Sequence, residues 1–199
     1  MITFYHSPQT RSGRTMWLLE ESGLPFETRY VSVERADGTG APDPANVHPD
    51  GRVPAISHDG AAIPESYAIA IYVSDLAADS GLGFPAGSPE RGPFLAWLMW
   101  IATELETTLF LRPAGSAEDS PPVEKSYRQI VRRLETALAN GPYLMGDRFT
   151  AVDVMAGSTV AWARHLFPES AAIDAWVARI ADRPAHQRAC QNDAEPVAA

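Results

Sequence analysis

The chain of 199 residues holds one cysteine, Cys190, and one lysine, Lys125. A single thiol excludes a disulfide framework and a cysteine-built zinc site within the chain. A single lysine leaves Schiff-base chemistry one candidate. The five histidines, at 6, 48, 58, 165 and 186, show no His-x3-His or Glu-x-x-His spacing, so no metal site is expected. Positive charge is scarce: 16 Lys and Arg stand against 25 Asp and Glu, and residues 1–89 carry 5 Arg against 11 acids. Without a basic stripe, nucleic acid is not an expected partner. No uninterrupted apolar run reaches ~18 residues, so no membrane span is expected. Met1–His6 lacks a basic and then apolar leader pattern, which leads us to expect a cytoplasmic protein. The remainder is ordinary: 45% hydrophobic and 21% charged residues describe a soluble globular chain, not a disordered one. Its length allows one or two domains.

The first part alternates short β-like runs with helical patterning. Ile2–Tyr5 is an apolar run cut by Ser7-Pro8, and Gly13–Ser22 carries an apolar face of Met16, Trp17, Leu18 and Leu19. Gly23 stands where a helix C-terminal glycine belongs, and Pro25 prevents continuation. Phe26–Val33 alternates as a strand does, which completes β-α-β. Val53–Ser57 and Ala61–Ile63, split by Asp59-Gly60, predict a hairpin. Pro64-Glu65-Ser66 then opens a helix whose Ile69, Tyr72, Val73 and Leu76 share a face. Residues 80–93, with four Gly and three Pro, form the linker candidate. Helical stripes follow: Phe94–Leu111, apolar on most sides and expected as a central buried helix, then Tyr127–Leu138, then Ile173–Ile180. Thr150 and Asp153 before an apolar run predict a helix cap.

This order of elements, and five segments that carry it, resemble the cytosolic glutathione transferases over nearly the whole chain. The segments are Ser7-Pro-Gln-Thr-Arg-Ser-Gly-Arg with Trp17-Leu-Leu-Glu-Glu-Ser-Gly-Leu-Pro-Phe-Glu27; His48-Pro-Asp-Gly-Arg-Val-Pro-Ala-Ile56; Pro64-Glu-Ser-Tyr-Ala-Ile69; Gly146-Asp-Arg-Phe-Thr-Ala-Val-Asp153; and Ala175-Trp…Arg179-Ile…Arg183-Pro-Ala185. The resemblance implies an α/β thioredoxin-like N-terminal domain (βαβ-ββα) over residues 1–79, a linker over 80–89, and an all-α helical domain over 90–199. It also implies a homodimer, glutathione as co-substrate with no further cofactor, and an electrophilic, apolar small molecule as second substrate. Two alternatives keep the same residues. One is glutathione-dependent peroxidase, isomerase or dehalogenase chemistry, and the other is a non-catalytic interaction module, since fold does not dictate function.

A free thiol has a pKa near ~8.5, so activating glutathione means stabilising its thiolate. A hydroxyl at a helix N-terminus does this, and the family places a Tyr, Ser or Cys there. This chain resembles the bacterial type with a Ser or Thr hydroxyl, and offers Ser12 first, Thr10 second and Ser7 third. Ser12 also suits a plain helix cap. Val53-Pro54 resembles the family's cis-proline site, which leaves the Val53 backbone free to pair with the tripeptide. Glu65 and Ser66 at a helix start suit the γ-glutamyl ammonium and carboxylate. Arg52, Gln9 and Arg11 are further glutathione candidates, and Met99 and Thr103 are candidates for the electrophile side.

Overall fold

The computed structural model describes residues 1–112 and 121–193. The chain folds as two compact units. Unit 1 is Met1–Leu82 together with the segment from Arg183, and unit 2 is Gly83–Asp182.

Unit 1 is built on a four-stranded sheet in the order β2-β1-β3-β4. Strand β1 (Ile2–His6) pairs in parallel with β2 (Phe26–Tyr30) and antiparallel with β3 (Ala55–His58), which pairs antiparallel with β4 (Ala61–Pro64). With neighbours on both edges, β1 and β3 are the central strands, and Ile2, Phe4, Ala55 and Ile56 are core residues. The second strand stops at Tyr30, short of the expected Val33, because β1 supplies no partner beyond His6: the last such bond runs from Val31 N–H to the His6 carbonyl. Asp59 and Gly60 both adopt positive φ, 49° and 83°, as a tight two-residue hairpin turn requires.

Helix α1 (Gly13–Ser22) buries Met16, Trp17, Leu18 and Leu19 and ends on Gly23 at φ 67°. Helix α2 (Ser66–Leu76) buries Ile69, Ala70 and Val73.

Unit 2 begins its helices with α3 (Arg91–Trp100), which runs through a wide turn at Ile101–Leu105 into α4 (Glu106–Leu111). This stretch was expected to be buried on most sides. It buries one face only, through Phe94, Leu98, Ile101, Leu105 and Leu109, while Met99, Phe110 and Leu111 are exposed. Its length and mean hydropathy of 1.3 would suit a membrane span, but its apolar stripe packs on α5 (Pro121–Leu138) and α6 (Ala151–Trp162). At the start of α6 the anticipated cap is present: the Thr150 hydroxyl accepts from Val152 N–H, and Asp153 accepts from Thr150 N–H. Asp153 also accepts from the Leu144 amide and from Trp176 Nε1–H on α7 (Ala171–Ala181).

The units are not consecutive along the chain. Sequence patterning places everything from residue 90 in one helical domain, whereas α8 (Pro184–Asp193) groups with unit 1 and packs on α1. Ion pairs and packing join α8 to α1: Arg183 forms a bidentate pair with Glu21 (2.6 and 2.7 Å), Arg188 pairs with Glu20 (2.7 Å), Ala185 and Ala189 are buried, and the His186 ring meets Trp17 edge-on.

Candidate functional site

The sheet register brings the sequence candidates together. Tyr5, Ala55 and Pro64 stand in one row across β1, β3 and β4. The residues just beyond that row therefore leave the sheet at the same end. These are Ser7 after β1, Val53-Pro54 before β3, and Glu65-Ser66 after β4.

The Val53–Pro54 peptide is cis, as the resemblance implies. Pro54 is buried and Val53 half-buried. Val53 precedes the ladder, whose first pair on β3 is Ala55. Exposed Glu65 has φ 71°, an uncommon value for a residue with a side chain, and turns the chain directly into α2. Ser66 is buried at the first position of that helix, where amide N–H groups face outward without helical partners. Gln9 also has a positive φ, 56°, in the loop between β1 and α1. Among the described residues, two of the three side-chain-bearing ones with positive φ thus lie at this end of the sheet; the third, Asp59, belongs to the hairpin. No sequence pattern announced either.

The hydroxyl triplet is arranged unequally. Ser12 is fully buried, its backbone is already helical, and its side chain caps no helix amide. Its hydroxyl instead turns inward. It lies 2.7 Å from His6 Nδ1, 2.8 Å from the Thr10 hydroxyl, 3.1 Å from the Ser7 carbonyl and 3.3 Å from the Ser7 amide. Thr10 is half-buried, and its hydroxyl also reaches the Ser7 carbonyl (2.7 Å) and accepts from Ser12 N–H (3.2 Å). Ser7 is buried. Of the other candidates, Gln9, Arg11 and Arg52 are exposed. The Arg52 carbonyl accepts from the Asn46 side chain. In unit 2, Met99 and Thr103 are exposed one helical turn apart, and the Thr103 hydroxyl donates to the Met99 carbonyl.

Two residues that sequence reasoning passed over complete the arrangement. His6, read only as one of five scattered histidines, is wholly buried at the end of β1. Asp193, the last described residue of α8, places Oδ1 3.3 Å from His6 Nε2 and 3.2 Å from the Gln9 amide that it accepts from. Burial pushes the His6 pKa down, and Asp193 offsets part of that. The one available sign in sequence was a histidine directly preceding three closely spaced hydroxyls. The 184 residues between Gln9 and Asp193 gave none. Cys190 is exposed, and burial of its sulfur and the charge of Asp193 raise its pKa, so it stays a thiol. Among the described residues, no group of three or more His, Cys, Asp or Glu is placed to hold a metal ion.

Comparison with known proteins shows what the chain is similar to. Residues 10–76 match the family model for the glutathione S-transferase N-terminal domain, and residues 116–185 match that for the glutathione S-transferase C-terminal domain. The chain is 30% identical over 195 residues to glutathione S-transferase GstA of Escherichia coli O157:H7, covering 94% of this chain and 96% of that one. Among solved structures, a glutathione transferase from Methylococcus capsulatus is 32% identical, with a TM-score of 0.77 over 97% of this chain and 98% of that chain. A sphingomonad glutathione S-transferase complexed with glutathione is 28% identical, with a TM-score of 0.77 over 96% and 98% of the two chains.

Proposed function

The chain belongs to the glutathione S-transferase family, and on that footing we propose that unit 1 binds glutathione across the end of its sheet and holds the thiol at Thr10. The reaction is thiolate attack on an electrophilic, apolar small molecule. The observation that carries the assignment to Thr10 is exposure: of the three hydroxyls it alone is not buried. Ser12 was the first choice by position in sequence. Its hydroxyl is enclosed by His6, Thr10 and Ser7, and a sulfur atom could reach it only by displacing one of them. Ser12 is thus the support and Thr10 the contact, with the α1 N-terminus favouring negative charge on the same atom.

The peptide part of glutathione is acidic, which suits the start of α2. There Ser66 and the free amides meet a carboxylate and Glu65 meets the ammonium group. The Val53 backbone, outside the ladder, pairs with the cysteinyl backbone as an added strand would. Gln9, Arg11 and Arg52 flank this end, and Arg52 is the candidate for the glycyl carboxylate. Exposed Met99 and Thr103 are the candidates for the electrophile. The cytoplasmic setting and the homodimer that the resemblance implies belong to the same reading; light scattering tests the latter.

The test is an ultraviolet titration of the bound thiolate at saturating glutathione. Thr10→Val is expected to raise the bound thiol's pKa by about one unit, a tenfold loss of thiolate at neutral pH. A larger shift in Ser12→Ala than in Thr10→Val would return the contact to Ser12.

A further inference from the structure

His6 is a buried imidazole that the family reading does not employ, and its surroundings are unusual for a core residue. One ring nitrogen, Nδ1, meets the Ser12 hydroxyl at 2.7 Å. The other, Nε2, faces the Asp193 carboxylate at 3.3 Å. The Ser12 hydroxyl continues at 2.8 Å to the Thr10 hydroxyl, the half-buried end of the chain. The four groups form one line, Asp193–His6–Ser12–Thr10, from a carboxylate on α8 to the surface of the candidate site. A serine before α1 would ordinarily cap the helix; here its hydroxyl serves His6 instead.

We propose that His6, paired with Asp193, is the proton acceptor for thiol activation, reached through Ser12 and Thr10. This rests on the reading that glutathione's thiol sits at Thr10. In the resting state Ser12 donates to His6 Nδ1, so Nε2 carries the ring's proton, 3.3 Å from Asp193 Oδ1 but outside hydrogen-bond alignment with it. On activation the S–H bond breaks, its electron pair stays on sulfur, and its proton passes to the Thr10 oxygen. Thr10 passes its own proton to Ser12, and Ser12 passes its own to His6 Nδ1. Both hydroxyls end neutral, each with one proton. The products are a thiolate and an imidazolium, so net charge is unchanged. The hydrogen-bond directions are then reversed, with His6 donating to Ser12, Ser12 to Thr10 and Thr10 to sulfur. Every donor in the line now points toward the new negative charge.

The groups facing His6 fit this role. The Phe4 ring from β1 lies 5.4 Å away and the Tyr30 ring from β2 5.5 Å away. The Tyr30 hydroxyl is turned to the Asn192 carbonyl. Asp193 is therefore the formal charge set against the ring, and it favours the imidazolium. Burial keeps the resting ring neutral and able to accept. Two ion pairs, Arg183–Glu21 and Arg188–Glu20, hold α8 on α1 and so hold Asp193 in position.

The experiment compares thiolate formed with protons released when glutathione is added near neutral pH. Thiolate is read by ultraviolet absorbance, and protons by an indicator dye in weak buffer. A proton kept on His6 makes release fall short of thiolate by about twofold or more. His6→Gln keeps a hydrogen-bonding group beside Ser12 but cannot store the proton, so release and thiolate become equal and thiolate falls about tenfold. Asp193→Asn narrows the shortfall in a protein whose strand β1 is untouched, and it carries the test if His6→Gln does not fold. Wild-type release equal to thiolate overturns the relay while leaving the thiolate at Thr10. A shortfall unchanged in Asp193→Asn overturns the pair. Absence of any thiolate signal at saturating glutathione overturns the underlying reading, and the relay with it.

Discussion

Asp153→Asn probes a buried charge whose balance can be worked from the structure. Asp153 is fully buried, and its Oδ1 accepts from Leu144 N–H (2.9 Å) and Trp176 Nε1–H (3.0 Å). Its Oδ2 accepts from Thr150 N–H (3.0 Å). Burial nevertheless outweighs these donors and pushes the carboxyl pKa up to about 6, from 3.8. The folded state thus binds the proton more tightly than the unfolded state. Stability from this group is fully present below pH 3.8 and is lost as pH rises through 6. Two pKa units at about 1.4 kcal/mol each make that loss about 3 kcal/mol. Asparagine keeps Oδ1 but sets an amide N–H₂ against Thr150 N–H, which costs roughly 1–3 kcal/mol at every pH. The wild type's advantage over Asp153→Asn should therefore shrink by roughly 2–3 kcal/mol between pH 4 and 7. Urea unfolding of both proteins across that range, followed by far-ultraviolet circular dichroism, measures the gap. Other titrating groups are common to the two proteins and cancel. A gap that stays constant, or widens as pH rises, would show that the donors around Asp153 outweigh burial and would refute the reasoning.

Three further outcomes follow from the same structure. Ser66→Ala removes the donor proposed for glutathione's α-carboxylate; losing a charge-assisted bond costs roughly 1.5–3 kcal/mol, so calorimetry should show glutathione bound ~10-fold more weakly or worse. Unchanged affinity would mean that Ser66 only starts the helix. Glu21→Ala removes the bidentate partner of Arg183 and the acceptor of Trp17 Nε1–H, and should destabilise by about 2 kcal/mol or more in chemical unfolding. Amide exchange should speed up most over Pro184–Asp193 in that variant; exchange unaltered there would show that α8 is held by apolar packing alone. Thr10→Val and Ser12→Ala should separate contact from support in the thiolate titration, the first giving the larger rise in thiol pKa.

What was legible in the sequence was what local chemistry decides. The Asp59-Gly60 turn, the Gly23 stop of α1 and the Thr150–Asp153 cap each depend on a few adjacent residues, and each forms as expected. The cis Val53–Pro54 peptide and the gathering of Glu65-Ser66 beside it came from the family resemblance. The register of Tyr5, Ala55 and Pro64 supplies the physical basis of the gathering. Periodicity misled where a helix is apolar all round by composition yet packs one face, as along Phe94–Leu111. The placing of α8 was not legible either, because its contacts with α1, the Arg183–Glu21 pair among them, join residues 162 or more apart. Ser12 shows the same limit at close range. Serine before a helix favours capping, but a buried histidine six residues earlier claims its hydroxyl.

The discontinuity of unit 1 also bears on the order of events during synthesis. A chain made from its N-terminus completes β1 to α2 early, yet the helix that covers α1 and presents Asp193 emerges only after all of unit 2. At ~5–20 residues per second, that interval is roughly 5–20 s. Throughout it, the α1 face that α8 will cover is open to solvent and to other chains, with Glu20 and Glu21 as its charged border. A nascent thioredoxin-like unit would thus wait without α8, and the His6–Asp193 approach would form only after unit 2 has been made.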